Sequence, residues 1–258
     1  MSSDAQNNIK LIVSYEGTAY LGWQKTAMGP SIEASLERVL EQVLQETIQL
    51  QAASRTDAGV HAASQVVNFK TNKNIDLRRL QHSLNYLLPK DISITFIENT
   101  LTAFHPTLDA CGKEYHYHLC NNAYQLPFHR HFSWHFPQCL SQEKMVKGAK
   151  MLIGEYDFSA FCNRLPAHEA SHAQENRVRR IDSIEILPLP HHRLRISVKG
   201  NHFLYKMVRN IVGTLVYVGC GKIPVEALFD ILQSRDRTRA GVTAPAHGLT
   251  LWKVFYKI

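Results

Sequence analysis

The amino-acid sequence predicts an α+β protein in which two similar halves each set helices against a mainly antiparallel sheet. Three observations carry that expectation. From residue 8 to residue 103, segments of period two and period 3.6 follow in the order strand, helix, strand, strand, helix, strand. A comparable succession recurs through residues 104–258. The composition, 45% hydrophobic and 20% charged over 258 residues, suits one large domain or two small ones, each with a core.

In the first half, Ile9, Leu11, Val13 and Tyr15 alternate as in a half-buried strand. The spacing then changes: Ile32, Leu36, Val39, Leu40, Val43 and Leu44 form a helical stripe that Ser31 is placed to cap. Ile48, Leu50 and Ala52 alternate again, a polar loop follows, and residues 65–70 read as a strand. A second helix carries Leu77, Leu80, Leu84, Leu87 and Leu88 behind the cap residue Asp76, and Pro89 stops it. Ile92, Ile94 and Phe96 close the half as a strand. This β-α-β-β-α-β order is the split, ferredoxin-like arrangement.

The second half starts near Phe104. Residues 113–121 read as a strand with Tyr115, Tyr117 and Leu119 on one face. A helix over 142–153, strands around 158–161, 181–187 and 193–199, an apolar helix over 201–218, a helix over 225–233 and a closing strand over 249–256 follow. No sequence repeat is visible between the halves. Two such ferredoxin-like units, 8–103 and 104–258, are expected to join into one continuous sheet. Helices would cover one face, and the other would form a concave cleft suited to a folded RNA, which is recognised largely by shape and backbone.

Lys and Arg number 29 against 22 Asp and Glu, a net charge of +7 that favours polyanionic partners. Five cysteines without a C-x-x-C pair, and no secretory leader, point to a reducing cytoplasm. No apolar run reaches membrane-spanning length, and no phosphate-binding glycine loop of the Walker or Rossmann type occurs.

Three groups of residues invite chemistry. Ser54 to Ala62 is a polar, glycine-containing loop between two strands, with Arg55 and Asp57 two positions apart. Local chemistry alone favours a turn-forming Asp beside a solvated Arg. Arg209 sits in a helix that is apolar almost all round, where a guanidinium needs a carboxylate. Asp57 is one candidate partner; another acid, or a helix end reached by snorkelling, would also serve. Tyr115 and Tyr117, flanked by Lys113, His116 and His118, have a pattern that can stack unpaired bases, although alternating tyrosines more often pack a core. His168-Glu169-Ala170-Ser171-His172 matches the H-E-x-x-H zinc signature, but Pro166 and polar flanks replace the apolar helix that such a site needs, and no third ligand follows.

Arg55-Thr56-Asp57-Ala58-Gly59-Val60-His61-Ala62 resembles the signature loop of the tRNA pseudouridine synthase A family. Tyr15 to Gln24, Lys113 to Tyr117, Gly154 to Phe161, Met207 to Gly213 and Ala244 to Leu249 are similar to further blocks of that family, in order along the chain. Ser54 stands where many relatives have Gly, and Glu16 where Asp is usual. The resemblance implies a cytoplasmic homodimer that isomerises uridines 38, 39 and 40 of the tRNA anticodon stem-loop without metal or organic cofactor. It also implies roles: Asp57 as nucleophile, Arg55 displacing the target nucleotide, Tyr115 stacking on the flipped base, and Arg209 pairing with the Asp57 carboxylate.

Overall fold

A computed structural model describes residues 7–164 and 176–257. The chain divides into two compact units, residues 1–111 with 250–258, and residues 112–249. Among the described residues they contain ten strands and five α-helices, an α+β fold as the sequence predicts.

The first unit runs β1 (Asn7–Tyr15), α1 (Ile32–Leu44), β2 (Gln51–Ala52), β3 (His61–Thr71), α2 (Leu77–Leu87), β4 (Ile92–Thr100), and it takes in the later strand β10 (Leu249–Tyr256). Its sheet places β1 between β4 and β3, antiparallel on both sides. The far edge of β3 pairs with β2 at Val67 and Asn68, and in parallel with β10 at His61 and Ala62.

Both helices begin where the sequence says. Ser31 Oγ accepts from Ala34 N and Asp76 from Arg79 N, each satisfying a donor that the first turn leaves without a partner. The stripe Ile32, Leu36, Val39, Leu40 and Leu44 is buried, with Ile9, Leu11 and Val13 of β1 also in the core. β2 is shorter than the alternation predicts. At the other edge, Phe96 is 47% exposed, because a bulge between Ile12 and Val13 shifts the β1–β4 register.

The second unit runs β5 (Ala110–Cys120), β6 (Trp134–His135), α3 (Gln142–Met151), β7 (Gly154–Asp157), β8 (Val178–Leu189), β9 (Arg193–Gly200), α4 (Met207–Gly219), α5 (Ala227–Ser234). Strands β5, β9, β8 and β7 lie side by side, antiparallel throughout, and β6 pairs in parallel with the end of β5. The succession β5, α3, β8, β9, α4 repeats the strand-helix-strand-strand-helix order of the first unit, with β7 added. Tyr115, Tyr117 and Leu119 face the same side as their partners Val198, Ile196 and Leu194, an apolar face. Glu114, His116 and His118 face the other side with Lys199, Ser197 and Arg195.

Two segments differ from the pattern. Residues 159–161 form a 3-10 turn, and the strand there is β7, just before it. The apolar run from Asn201 turns helical only at Met207, because Lys206 adopts a left-handed φ of 59° that ends the preceding turn.

Candidate active site

The loop between β2 and β3 alternates inward and outward. Ser54 and Thr56 are buried, Arg55 is exposed and Asp57 half-buried, so the chain pins the loop by one set of residues and presents the other. The pins are specific. Gln65 Nε2 donates to Ser54 O at 2.5 Å, and the Thr56 hydroxyl meets Tyr15 Oη at 2.8 Å in a fully buried pair. Thr56 O accepts from Trp23 N at 3.0 Å, and Asp57 O accepts from Val60 N at 3.1 Å, closing a turn in which Gly59 supplies a φ of 78°.

The segment 15–23 forms the second wall of this loop. Gly17 N donates to His61 Nδ1 at 3.0 Å, and Gly59 N to Tyr20 O at 3.3 Å. A side chain at Gly17 would place Cβ 2.0 Å from Val60 O, and one at Gly22 would come 2.6 Å from Thr56 O. Gly22 also holds φ at +97°. Tyr20 Oη donates to Asp91 at 2.6 Å, and burial together with that carboxylate pushes the phenol's ionisation up. Asp57 therefore stands on a backbone clamped from both sides, the arrangement a positioned nucleophile requires.

The other residues singled out by the sequence belong to the second unit. Tyr115 is 7% exposed, with its ring edge-on to Phe203 at 5.2 Å. Tyr117 is a core residue: its hydroxyl donates to Pro245 O at 2.9 Å, and its ring fills the space a side chain at Gly248 would need. The tyrosine pair thus divides, and the core-packing reading holds for Tyr117. Lys113, on the same face as Tyr115, is buried, and burial brings its ammonium down to about 8.

Arg209 lies in the first turn of α4, where eleven of thirteen residues are buried; it is itself half-buried. Its Nε donates to Ala244 O at 2.7 Å while Ala244 N donates to Arg209 O at 3.1 Å. That reciprocal tie fixes the guanidinium against the 241–245 segment. The segment in turn lies so close to α4 that a Cβ at Gly213 would sit 1.7 Å from Val242 O.

Sequence reasoning missed the network beneath it. Arg237 donates to Asn210 Oδ1 (2.9 Å), Thr243 Oγ1 (3.0 Å) and Gly241 O (2.8 Å). Asn210, fully buried, donates to Phe161 O and Asn163 Oδ1, both at 2.8 Å. Burial lowers the Arg237 guanidinium below its ordinary value. Asn163, Asn210, Arg237 and Thr243 lie on separate elements, so neither spacing nor periodicity marks them.

Among the described residues, no cluster of three His, Cys, Asp or Glu side chains could hold a metal ion, and no helix is long and apolar enough to cross a membrane. The segment His168 to His172 lies outside the described residues.

A family profile described as tRNA pseudouridine synthase matches residues 11–109 and 149–257, which include the Asp57 loop and Arg209 but not β5. The tRNA pseudouridine synthase A 2 of Protochlamydia amoebophila is 54% identical over 255 residues, covering 98% of this chain and 96% of that protein. The tRNA pseudouridine synthase A of a Thermoanaerobacter species is 40% identical over 249 residues, covering 96% and 99%. That of Bacillus pumilus is 38% identical over 252 residues, covering 96% and 98%. A match that takes in the clamped loop and the α4 turn alike, with relatives aligned from end to end, places this chain in the tRNA pseudouridine synthase family, isomerases that convert uridine to pseudouridine.

Proposed function

We propose that this protein isomerises uridine to pseudouridine at positions 38, 39 and 40 of the tRNA anticodon stem-loop, with Asp57 as the nucleophile. The observation that carries the choice of Asp57 is its setting: a half-exposed carboxylate on a loop whose neighbours Ser54 and Thr56 are fixed from below and whose backbone is fixed by Trp23 and Gly59.

The reaction breaks the N1–C1′ bond, turns the base and joins C5 to C1′. The C5 proton leaves, and N1 gains one, so the product is an isomer with no redox change. The target base has to leave the helical stack first. Arg55, exposed beside Asp57, is suited to take the vacated place in the stem. Tyr115 offers a ring for the extruded base. The Asp57 carboxylate attacks C1′ of the ribose or C6 of the base, holding the detached fragments through the turn. Arg209 supplies the cation that pairs with this carboxylate. In this reading the enzyme is a cytoplasmic homodimer and needs neither metal nor organic cofactor.

The test is position-resolved pseudouridine mapping on unmodified tRNA transcripts treated with wild type and with Asp57→Ala. Wild type is expected to modify the anticodon arm, and Asp57→Ala to bind the same tRNA without forming product. Product formation by Asp57→Ala would remove Asp57 from the chemistry, and modification elsewhere in the tRNA would move the substrate site.

A further inference from the structure

Lys10 and Lys25 each meet a carboxylate, Glu98 at 2.6 Å and Glu37 at 2.7 Å. Lys113 does not. It is 7% exposed, and among the described residues its ammonium has neither hydrogen bond nor ion pair. Its stem is enclosed while its ammonium, at the edge of solvent, is poorly hydrated and meets no protein partner, a costly setting for a charge that an apolar side chain of similar length would avoid.

The surroundings deepen the imbalance. Lys113 pairs across the sheet with Gly200, the last residue of β9, and shares its face with Tyr115. From Gly200 the chain turns towards α4, and Asn201 Oδ1 sets that turn by accepting from Arg180 N at 3.0 Å and His202 N at 2.6 Å. Phe203, one residue on, stands edge-on to Tyr115. Burial first, and then the charges of Lys113 and Arg179, hold His202 below the usual imidazole range. Positive groups therefore collect around this turn, and the ammonium among them, a donor with no accepting capacity, calls for an anion.

We propose that Lys113, with His202 and Arg179 around it, is a subsite for a phosphodiester group of the RNA, placed so that the nucleotide stacked on Tyr115 brings its own backbone phosphate to the Lys113 ammonium. This rests on the reading of tRNA as substrate. A phosphate oxygen would supply both the missing acceptor and the missing charge, and a lysine suits it as a point charge. The subsite would also make extrusion of the base and neutralisation of Lys113 a single event: the ammonium finds its partner only when the nucleotide has left the stem.

The experiment pairs a protein change with an RNA change. Lys113→Met keeps the apolar stem and removes the charge. Anticodon stem-loops carrying one neutral methylphosphonate at each linkage flanking the target uridine remove one phosphate charge at a time. With wild type, neutralising one linkage should weaken binding about tenfold, the worth of a charge-assisted contact. With Lys113→Met, which should itself bind the unmodified stem-loop about tenfold more weakly, that linkage should no longer matter. Free of RNA, Lys113→Met should melt at the same temperature as wild type or higher, since it relieves a poorly hydrated charge that no protein group partners.

Equal penalties in both proteins at every linkage would overturn the subsite while leaving the substrate reading intact. A Lys113→Met protein that melts well below wild type would overturn it too, since Lys113 would then be structural. Wild type that forms no pseudouridine in any tRNA transcript would overturn the substrate reading and the subsite with it.

Discussion

Gly22 offers a direct way to ask how rigid the Asp57 loop must be. Alanine there meets two obstacles. The backbone φ of +97° is one that side chains rarely adopt, which costs about 1–2 kcal/mol. The new Cβ would also lie 2.6 Å from Thr56 O, where real contacts stop at about 3.0 Å, so the carbonyl one residue before Asp57 must retreat by about 0.4 Å. Gly221 separates the two effects. It holds φ at +77° but faces open space, so Gly221→Ala carries the strain without the collision. Both variants should lose stability, with Tm falling about 3–6 °C for a chain of this size. Only Gly22→Ala should lose turnover. Displacing a reacting group by a fraction of an ångström is expected to reduce kcat by about tenfold to a hundredfold, with KM little changed. The assay is thermal unfolding beside single-turnover pseudouridine formation on one tRNA transcript. Wild-type kcat in Gly22→Ala, or an equal kcat loss in Gly221→Ala, would refute the link between this contact and the position of Asp57.

Other consequences are checked more simply. Arg237→Ala removes the donors that join Asn210, Thr243 and Gly241, and should cost about 2–3 kcal/mol in urea denaturation, with Arg237→Lys recovering only part of it. His118 is held down to about 4 by burial first, then by the charges of His116, Arg193, Arg195 and His129. Its folded value therefore lies below its unfolded one, so the unfolded chain binds the extra proton between about pH 6.5 and 4. Stability should fall as the pH is lowered through that window, by up to about 1.4 kcal/mol per pH unit, and His118→Gln should flatten that part of the curve measured by denaturant titration.

The first unit was readable because its signals are local. Ser31 and Asp76 cap their own helices, and the apolar stripe of α1 faces a core that its own spacing defines. Where a distant contact decides, the pattern misleads. The apolar run from Asn201 suggests a helix that starts six positions before the real one, at Met207, because the turn is set by Asn201 on Arg180 and His202. The Asp57 loop was found through its resemblance to a family string, and nothing in its own chemistry distinguished it from an ordinary turn. What the string does not disclose is why Gly17 and Gly22 accompany it. Their contacts fall on Val60 and Thr56, more than thirty residues away, where the backbones approach too closely for any side chain. Arg209 stood out as a cation in an apolar helix; the reason its guanidinium lies where it does, the bond of its Nε to Ala244 O, joins residues thirty-five apart that no local pattern connects. Lys113 was noted only as a neighbour of Tyr115; its burial depends on the strands and turns that close over β5.

The participation of β10 in the first unit has a consequence for how the protein is made. Residues 249–256 pair with His61 and Ala62, directly after the Asp57 loop, yet the ribosome adds them only after the whole of residues 112–249. During synthesis the near end of β3 must wait with an open edge, the kind of edge that invites wrong pairings. Contacts spanning so much chain are slow to form. The strand beside the loop is thus completed late, and a nascent chain halted before residue 250 would carry Asp57 without the neighbour that flanks it in the finished sheet.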